Sequence, residues 1–313
     1  MNDKPTVLLV DDEERVLRSL SLLFRPHFQV LTTTNGYQAE RLVREQRVHV
    51  IVSDQRMPIM EGIEVLRRVR RASPHTQRLL LTGYADLQAV IDSINDGEVF
   101  RYLNKPWRMH EMLHAVRRAA DIALSLEATA PAPDAEPAAP ANPTGQEPEP
   151  QPAVLVLDED PDTLALLRAV VTPGQALHHR TDLEQAFALL AEQDIGILVC
   201  DVRLGGADIS HAIATLKRAH PALLTILVSP VRDVEILGRL INRGQIYRFL
   251  PKPVRRAMLT MSLEAAARRH RVLRHHPEAR AAATPDPLSE QEAGLSRRLL
   301  GYLERLRQRG GAS

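Results

Sequence analysis

The segment Ile94–Pro106, INDGEVFRYLNKP, recurs later in the chain as Ile241–Pro253, INRGQIYRFLPKP, with 7 of 13 positions identical. One register held along this much of the chain indicates that a domain has been duplicated. The same offset of 147 residues relates four pairs of polar residues: Asp11 and Asp158, Asp54 and Asp201, Thr82 and Ser229, and Lys105 and Lys252.

A segment rich in proline and alanine separates the two copies. Residues 128–152 contain eight prolines, and no aromatic or large aliphatic residue occurs between Leu126 and Val154. Such a segment has too little apolar surface to offset its ordering entropy, so it is predicted to be a disordered linker. The predicted organisation is a first domain at 4–127, the linker at 128–152, a second domain at 153–274, and a tail at 275–313.

Short apolar runs alternate with helical patterns five times in each copy. In the first copy the apolar runs are Thr6–Val10, Phe28–Leu31, Val48–Val52, Leu79–Leu81 and Phe100–Leu103, and the helical patterns are Glu13–Phe24, Tyr37–Glu45, Ile63–Arg71, Asp86–Asp96 and Arg108–Leu126. This alternation predicts a parallel sheet covered by helices on both faces, so the fold class is α/β with two doubly wound (βα)5 domains. In the second copy the strands are predicted near 153–157, 176–179, 195–200, 223–228 and 247–250.

The bulk composition is that of an ordinary globular protein. The chain has 313 residues, 44% hydrophobic and 25% charged, with a net charge of +1, which gives no reason to expect a nucleic-acid partner. No apolar stretch is long enough for a membrane span, and no secretory signal opens the sequence. The single cysteine, Cys200, suits a reducing compartment, so we expect a cytoplasmic protein.

Several polar residues of the first copy lie at or just beyond the predicted strand ends. They are Asp11, Asp12, Asp54, Thr82 and Lys105. In open α/β sheets the carboxyl ends of the strands meet at one crevice, so these side chains are predicted to converge. Three carboxylates need a cation to remain ionised together, and hard oxygen ligands favour Mg2+. A carboxylate nucleophile, a metal, a lysine and a hydroxyl make up the minimum set for forming an aspartyl phosphate.

The motifs VLLVDDEE, SDQRMPIMEG, LLLTGY and YLNKPW resemble, in this order and spacing, the receiver domain of two-component response regulators. The resemblance covers about residues 4–126 and, more weakly, 153–274, and it implies the flavodoxin-like version of the doubly wound fold. It also implies that Asp54 is the phosphoacceptor and that Thr82 and Tyr102 form the switch pair. Asp11, Asp12, Asp54 and the backbone carbonyl of Arg56 would bind Mg2+, and Lys105, followed by a cis bond to Pro106, would contact the phosphate.

The same resemblance assigns a second set of candidates. Asp201 would be the acceptor, and Lys252 the phosphate contact. Asp158, Glu159, Asp201 and the backbone carbonyl of Arg203 would bind the metal, with Ser229 and Phe249 as the switch pair.

The second copy departs from the motif in two loops. MPIMEG becomes LGGADI, which places Gly205 at the position of Pro58 and Ile209 at the position of Gly62, and Pro230 replaces Gly83. We expect the two glycines to loosen the loop after Asp201 and the proline to stiffen the other loop. The second domain is therefore expected to be a slow acceptor or a docked surface for a partner.

The resemblance implies a phosphorelay protein, not an enzyme, that receives its phosphoryl group from a histidine kinase or phosphotransfer protein and signals to a protein partner. The alternative is an adaptor or scaffold that uses the receiver fold for binding without phosphotransfer, above all in the second domain. The DEDPD sequence at 158–162 also resembles the nucleophile motif of haloacid-dehalogenase-type phosphatases, but the first copy lacks that motif. In the tail, Ser289 and Glu292 form a capping-box pattern ahead of a leucine stripe, which predicts a short amphipathic helix. The oligomeric state stays open.

Overall fold

The computed structural model describes residues 4–83, 101–128, 151–230 and 246–275, with residues 91, 95, 237 and 240–244 in addition. Two compact units contain these residues, and each is described by itself. The helical pattern Asp86–Asp96, most of the predicted linker and the predicted tail helix lie outside the described residues. The predicted domain boundaries therefore remain a proposal.

The first unit has a parallel sheet of five strands in the order β2-β1-β3-β4-β5. Its strands are β1 (Thr6–Val10), β2 (Gln29–Thr33), β3 (Val50–Asp54), β4 (Gln77–Thr82) and β5 (Arg101–Asn104). Its helices are α1 (Glu14–Phe24), α2 (Gly36–Glu45), α3 (Gly62–Ala72) and α4 (Met109–Ala128).

Burial explains the order of the strands. Every residue of β1 and β3 is buried, as a strand with helices on both faces requires, whereas the edge strand β2 keeps exposed positions. Strand β1 pairs with both β2 and β3, which places the ends of β1 and β3 side by side. Strand β2 ends two residues later than predicted, because Thr32 and Thr33 continue the ladder with β1 in spite of their polarity.

The second unit repeats this arrangement with the strand order β12-β11-β8-β6-β7. Its sheet strands are β6 (Ala153–Leu157), β7 (Leu177–Arg180), β8 (Ile195–Cys200), β11 (Leu224–Ser229) and β12 (Arg248–Pro251). Its α-helices are α5 (Pro161–Val170), α6 (Leu183–Glu192), α7 (Ser210–Ala219) and α8 (Arg256–His275). The predicted doubly wound fold is thus confirmed in both copies. None of the helices within the described ranges is long and apolar enough to cross a membrane.

The loop after Asp201 is ordered by a small hairpin, so the expected loosening by its glycines is wrong. Strands β9 (Arg203–Leu204) and β10 (Ala207–Asp208) pair antiparallel around Gly205 and Gly206. The φ angles of these glycines are +59° and +75°, which suit a tight two-residue turn that other residues adopt at a cost. The two glycines can adopt the positive φ angles that this turn requires, and the turn holds the loop in one conformation.

Gly62 opens α3 against the backbone of β3. A Cβ atom at this position would lie 2.0 Å from the carbonyl oxygen of Asp54 and 2.8 Å from its carbonyl carbon. The N–H of Gly62 donates to the carbonyl of Gln55 at 3.0 Å, which closes the loop between strand and helix. Glycine is therefore required here by close approach of the backbone.

Lys217 of α7 is buried in the second unit. Its side chain is 1% exposed, and its Nζ donates to the carbonyls of Pro221 and Leu223 at 2.8 and 2.7 Å. Burial, and to a smaller extent the charge of Arg269, lowers the pKa of Lys217 to about 7. The folded protein thus releases this proton far more easily than the unfolded chain does.

Gly62→Ala should lower the free energy of unfolding of the first unit by about 1–3 kcal/mol, because the added methyl group must displace backbone. Trp107 is the single tryptophan and packs against the core of this unit, so its fluorescence during urea unfolding reports the effect. Gly36→Ala is the matched control, since the three atoms nearest to its Cβ would be side-chain atoms of Val65 and Met60 and not backbone. Equal losses in the two variants would contradict the argument.

Lys217→Met should remove a pH dependence from the stability of the second unit. Between the folded pKa near 7 and the ordinary value of 10.5, the unfolded chain binds a proton that the folded chain lacks, so stability rises with pH. Relative to the variant, the native chain should gain about 2 kcal/mol between roughly pH 7 and pH 9. Urea-dependent labelling of Cys200, the single cysteine and fully buried, measures this with a pulse at one common pH. Parallel pH profiles for both proteins would refute it.

Candidate functional site

Two carboxylates follow β1 at the edge of the first sheet. Asp11 is 1% exposed, and its Oδ1 accepts a hydrogen bond from the backbone N–H of Glu13 at 2.9 Å. Asp12 is exposed at the mouth of the crevice. The strand thus delivers one buried and one solvent-facing acid to the same point.

Asp54 is the last residue of β3, and its side chain reaches the same point. Because β3 lies beside β1, one carboxylate oxygen from each of Asp11, Asp12 and Asp54 lies within 4.8 Å of the others. Two such charges about 5 Å apart repel by roughly 3 kcal/mol at an effective dielectric constant of 20. A cation is needed here, as the sequence predicts.

Lys105 brings one positive charge from the end of β5. Its Nζ lies 2.6 Å from Asp54 Oδ1 and 3.4 Å from Asp11 Oδ2. Burial alone would lower the pKa of Lys105, but the hydrogen bond and charge of Asp54, with the charge of Asp11, raise it above its ordinary value. Burial raises the pKa of Asp11, and the Glu13 N–H and Lys105 only partly offset that increase. The predicted cis peptide bond between Lys105 and Pro106 is present.

The donor set of the first site fits Mg2+. It consists of carboxylate oxygens, with no histidine or cysteine in the cluster, which is the hard-ligand set that this ion prefers. An open pocket adjoins the cluster and is lined by Asp12, Gln55, Arg56, Met57, Pro58 and Glu61. Arg56 lines this pocket, and the binding of its carbonyl to the metal stays a prediction.

The predicted switch residues of the first unit are both buried. Thr82 ends β4, is 1% exposed, and donates from its hydroxyl to the carbonyl of Gly83 at 3.2 Å. Tyr102 lies in β5, the neighbouring strand, and burial raises the pKa of its phenol well above the usual value. Their strands pair directly, with Tyr102 opposite Leu80 and Thr82 opposite Asn104, so the two residues lie on neighbouring strands, two positions apart in register.

The second unit also gathers carboxylates around a lysine, but with a different set of acids. Lys252 Nζ lies 3.0 Å from Asp158 Oδ2, 3.0 Å from Asp201 Oδ2 and 3.2 Å from Asp160 Oδ2. Burial alone would lower the pKa of Lys252, but Asp158 and Asp201 raise it above its ordinary value. A lysine with three acidic partners is thus the centre of this site.

Asp160 is the functional residue that sequence analysis missed. It caps α5 by accepting from the Asp162 N–H, and although partial burial raises its pKa, this bond and Lys252 bring that pKa below its ordinary value. Glu159, the predicted ligand, is exposed, as its counterpart Asp12 is in the first unit. The DEDPD sequence contained the signal, since its second aspartate falls on the helix cap that faces the lysine.

The acceptor candidate of the second unit is enclosed by donors. Asp201 Oδ1 accepts from the hydroxyl of Ser229 at 2.6 Å and from the backbone N–H groups of Val202 and Arg203 at 2.6 and 3.3 Å. Ser229 and Phe249, the predicted switch pair, are both fully buried. Cys200 is the last residue of β8 and immediately precedes Asp201. Burial, together with the nearby carboxylates, raises the pKa of its thiol, as suits an inert core residue.

Several known bacterial proteins have sequences similar to parts of this chain. The hydrogenase transcriptional regulatory protein HoxA of Bradyrhizobium diazoefficiens is 34% identical over 122 residues, 39% of this chain and 25% of that protein. The chain thus spans about a quarter of that relative. Sporulation initiation phosphotransferase F of Bacillus subtilis is 29% identical over 119 residues, 38% of this chain and 94% of that protein. The crystal structure of the signal receiver domain of an HD domain-containing protein from Pseudomonas fluorescens Pf-5 is 34% identical and covers 42% of this chain and 96% of its own, with a TM-score of 0.40.

Two segments of the chain, residues 7–117 and 154–264, match the response regulator receiver domain. The two matches fall on the two sheets described above, and together they make up more than half of the sequence. The chain therefore belongs to the response regulator receiver family and carries that domain twice.

Proposed function

We propose that the protein accepts a phosphoryl group on Asp54 from a histidine kinase or phosphotransfer protein and passes the signal to a protein partner by a conformational switch. The observation that carries this proposal is the position of the Asp54 carboxylate, 2.6 Å from Lys105 and grouped with Asp11 and Asp12. Membership of the receiver family supports phosphorelay signalling in general. The donor and the partner are the parts that we infer.

The chemistry follows from the charges at the site. A carboxylate oxygen of Asp54 attacks the phosphorus of a phosphohistidine, so that an O–P bond forms while the P–N bond breaks and the leaving imidazole takes up a proton. Asp11, Asp12, Asp54 and the carbonyl of Arg56 would hold Mg2+, which supplies positive charge for the transferred phosphoryl group.

Lys105 has a role that begins after the transfer. Because its ammonium already lies against Asp54, it is placed to follow the new phosphoryl oxygens as a point charge. The hydroxyl of Thr82 can then turn from the Gly83 carbonyl towards the phosphoryl group. Tyr102, in the adjacent strand, can respond to the space that this movement leaves. Such a shift of a pre-existing equilibrium is the switch that we infer.

The second domain is better described as an adaptor or scaffold than as an equal acceptor. Its acceptor candidate, Asp201, already receives hydrogen bonds from Ser229 and two backbone N–H groups. We retain Asp158, Glu159, Asp201 and the Arg203 carbonyl as the residues that a metal would require there. We further propose that residues 128–152 act as a flexible spacer, that the protein works in the cytoplasm, and that it signals by binding and not as an enzyme.

One relative supports the phosphotransfer role because the match to this chain covers nearly its whole length. The Bacillus protein named a sporulation initiation phosphotransferase is covered over 94% of its length, so a chain with little beyond one receiver fold carries that name. Transcriptional roles named for other relatives belong to proteins of which the match covers about a quarter.

Asp54→Asn should abolish rapid, Mg2+-dependent labelling of the chain by a small phosphodonor such as acetyl phosphate, because an amide is not the required nucleophile. Asp201→Asn is the matched control and should retain most of the labelling. Intact-mass measurement of the full chain over time distinguishes them. Rapid labelling of the Asp54→Asn protein at the native rate would exclude this assignment.

Lys105→Ala should retain Mg2+ binding yet weaken the response to phosphorylation, because the lysine contacts phosphate and not metal. Asp12→Ala should lose Mg2+ binding, since it removes a ligand. Fluorescence of Trp107, which lies two residues after Lys105, follows both events in the intact chain. If the two variants lose Mg2+ affinity equally, the division of roles is wrong.

A further inference from the structure

The second acidic site has a cation of its own. Lys252 Nζ lies within 3.2 Å of carboxylate oxygens from Asp158, Asp160 and Asp201. In the first site Lys105 contacts two carboxylates, and its side chain is 29% exposed against 17% for Lys252. The lysine of the second site is thus both more enclosed and more completely paired.

The carboxylate of Asp201 has little capacity left for a metal. Its Oδ1 accepts from Ser229 and from the N–H groups of Val202 and Arg203, while its Oδ2 lies 3.0 Å from Lys252. Each carboxylate oxygen offers about two acceptor positions, so the three donors saturate Oδ1 and Lys252 takes one of the two positions on Oδ2. A metal ion would therefore have to approach through Oδ2, beside the like charge of the Lys252 ammonium.

The remaining predicted ligand does not complete a metal site. Within the described parts of the chain, Asp11, Asp12 and Asp54 are the one group of three acidic residues whose oxygens come close enough to share an ion, so Glu159 does not form such a group with Asp158 and Asp201. Asp160, which does face the centre, is tied to the start of α5 through the Asp162 N–H and the Thr163 hydroxyl. The arrangement of the second site therefore does not fit Mg2+.

We propose that Lys252 is the resident cation of the second domain and takes the place of Mg2+, with Asp160 as the third acid that it neutralises. A lysine fixed among three acids also keeps Asp201 aligned with the Ser229 hydroxyl. The second domain then holds its serine and acceptor together independently of metal and of phosphorylation. This inference does not depend on Asp54 accepting a phosphoryl group.

Calorimetric titration of the full chain with MgCl2 tests the proposal by stoichiometry. The native protein should bind one ion per chain, and Asp12→Ala should reduce this to none. Lys252→Met should raise the number to two, because three acids lose their cation, and Asp160→Asn added to that variant should return it to one. Lys105→Met is the matched control and should stay at one.

Two results would overturn the proposal: two ions bound to the native chain, or one ion bound to Lys252→Met. Protection of the buried Cys200 from a thiol reagent shows that the second domain of each variant remains folded. The number of bound ions does not report on phosphoryl transfer, so a result that overturns this proposal leaves the proposed function unaffected.

Fluorescence assigns the binding to a domain. Val254 stands 147 residues after Trp107, and both side chains are partly buried against the core of their own domain. A chain carrying Trp107→Val and Val254→Trp moves the single tryptophan into the second domain. Its fluorescence should be unchanged by MgCl2 and should become responsive when Lys252→Met is added. A response without the Lys252 change would contradict the inference.

Discussion

Charge neutralisation at the end of a buried strand is the constraint on which each domain depends. Parallel strands of order 2-1-3-4-5 bring Asp11 and Asp54 together because β1 and β3 are neighbours. Ionised acids that lose hydration need an opposite charge close by. The lysine that supplies it follows the edge strand β5, with β4 in between, and only a long flexible side chain spans that distance. The order of the sheet and the choice of lysine are thus parts of one solution.

The same strand order accommodates two different arrangements of charged side chains. In the first domain Lys105 shares two acids and leaves Asp12 exposed beside an open pocket, so an external cation has ligands and space. In the second, Asp160 turns inward from a helix cap and Lys252 contacts three acids. A single helix-capping aspartate therefore gives the lysine of the second domain a third acidic partner, while the strands around it stay the same.

Periodic patterns predicted the strands and helices of the described ranges and the residues at the strand ends, because burial on both faces leaves a continuous apolar run that local sequence records. The roles of Asp160 and Lys217 were not predictable in this way. Each role depends on where the polar side chain points after the chain has folded. In the sequence, a helix-capping aspartate that faces solvent looks the same as one that faces a site, and an exposed lysine looks the same as a buried one. The hairpin at Arg203–Asp208 was not predicted, because two adjacent glycines were interpreted as a sign of a flexible loop. In the structure their positive φ angles specify one tight turn.

The loop after the acceptor shows how the copies diverged without cost to the fold. Gly62 donates to the carbonyl of Gln55 at 3.0 Å, and Ile209 donates to the carbonyl of Val202 at 2.9 Å, which is the same closure at an offset of 147 residues. Since the closing hydrogen bond is kept, the following helices start at equivalent positions to within one residue, at Gly62 and at Ser210. The chain between is free to change, and in the second domain it becomes a hairpin that directs the Val202 N–H at Asp201. A conserved closure around a variable loop therefore keeps the fold while the surroundings of the two acceptor candidates differ.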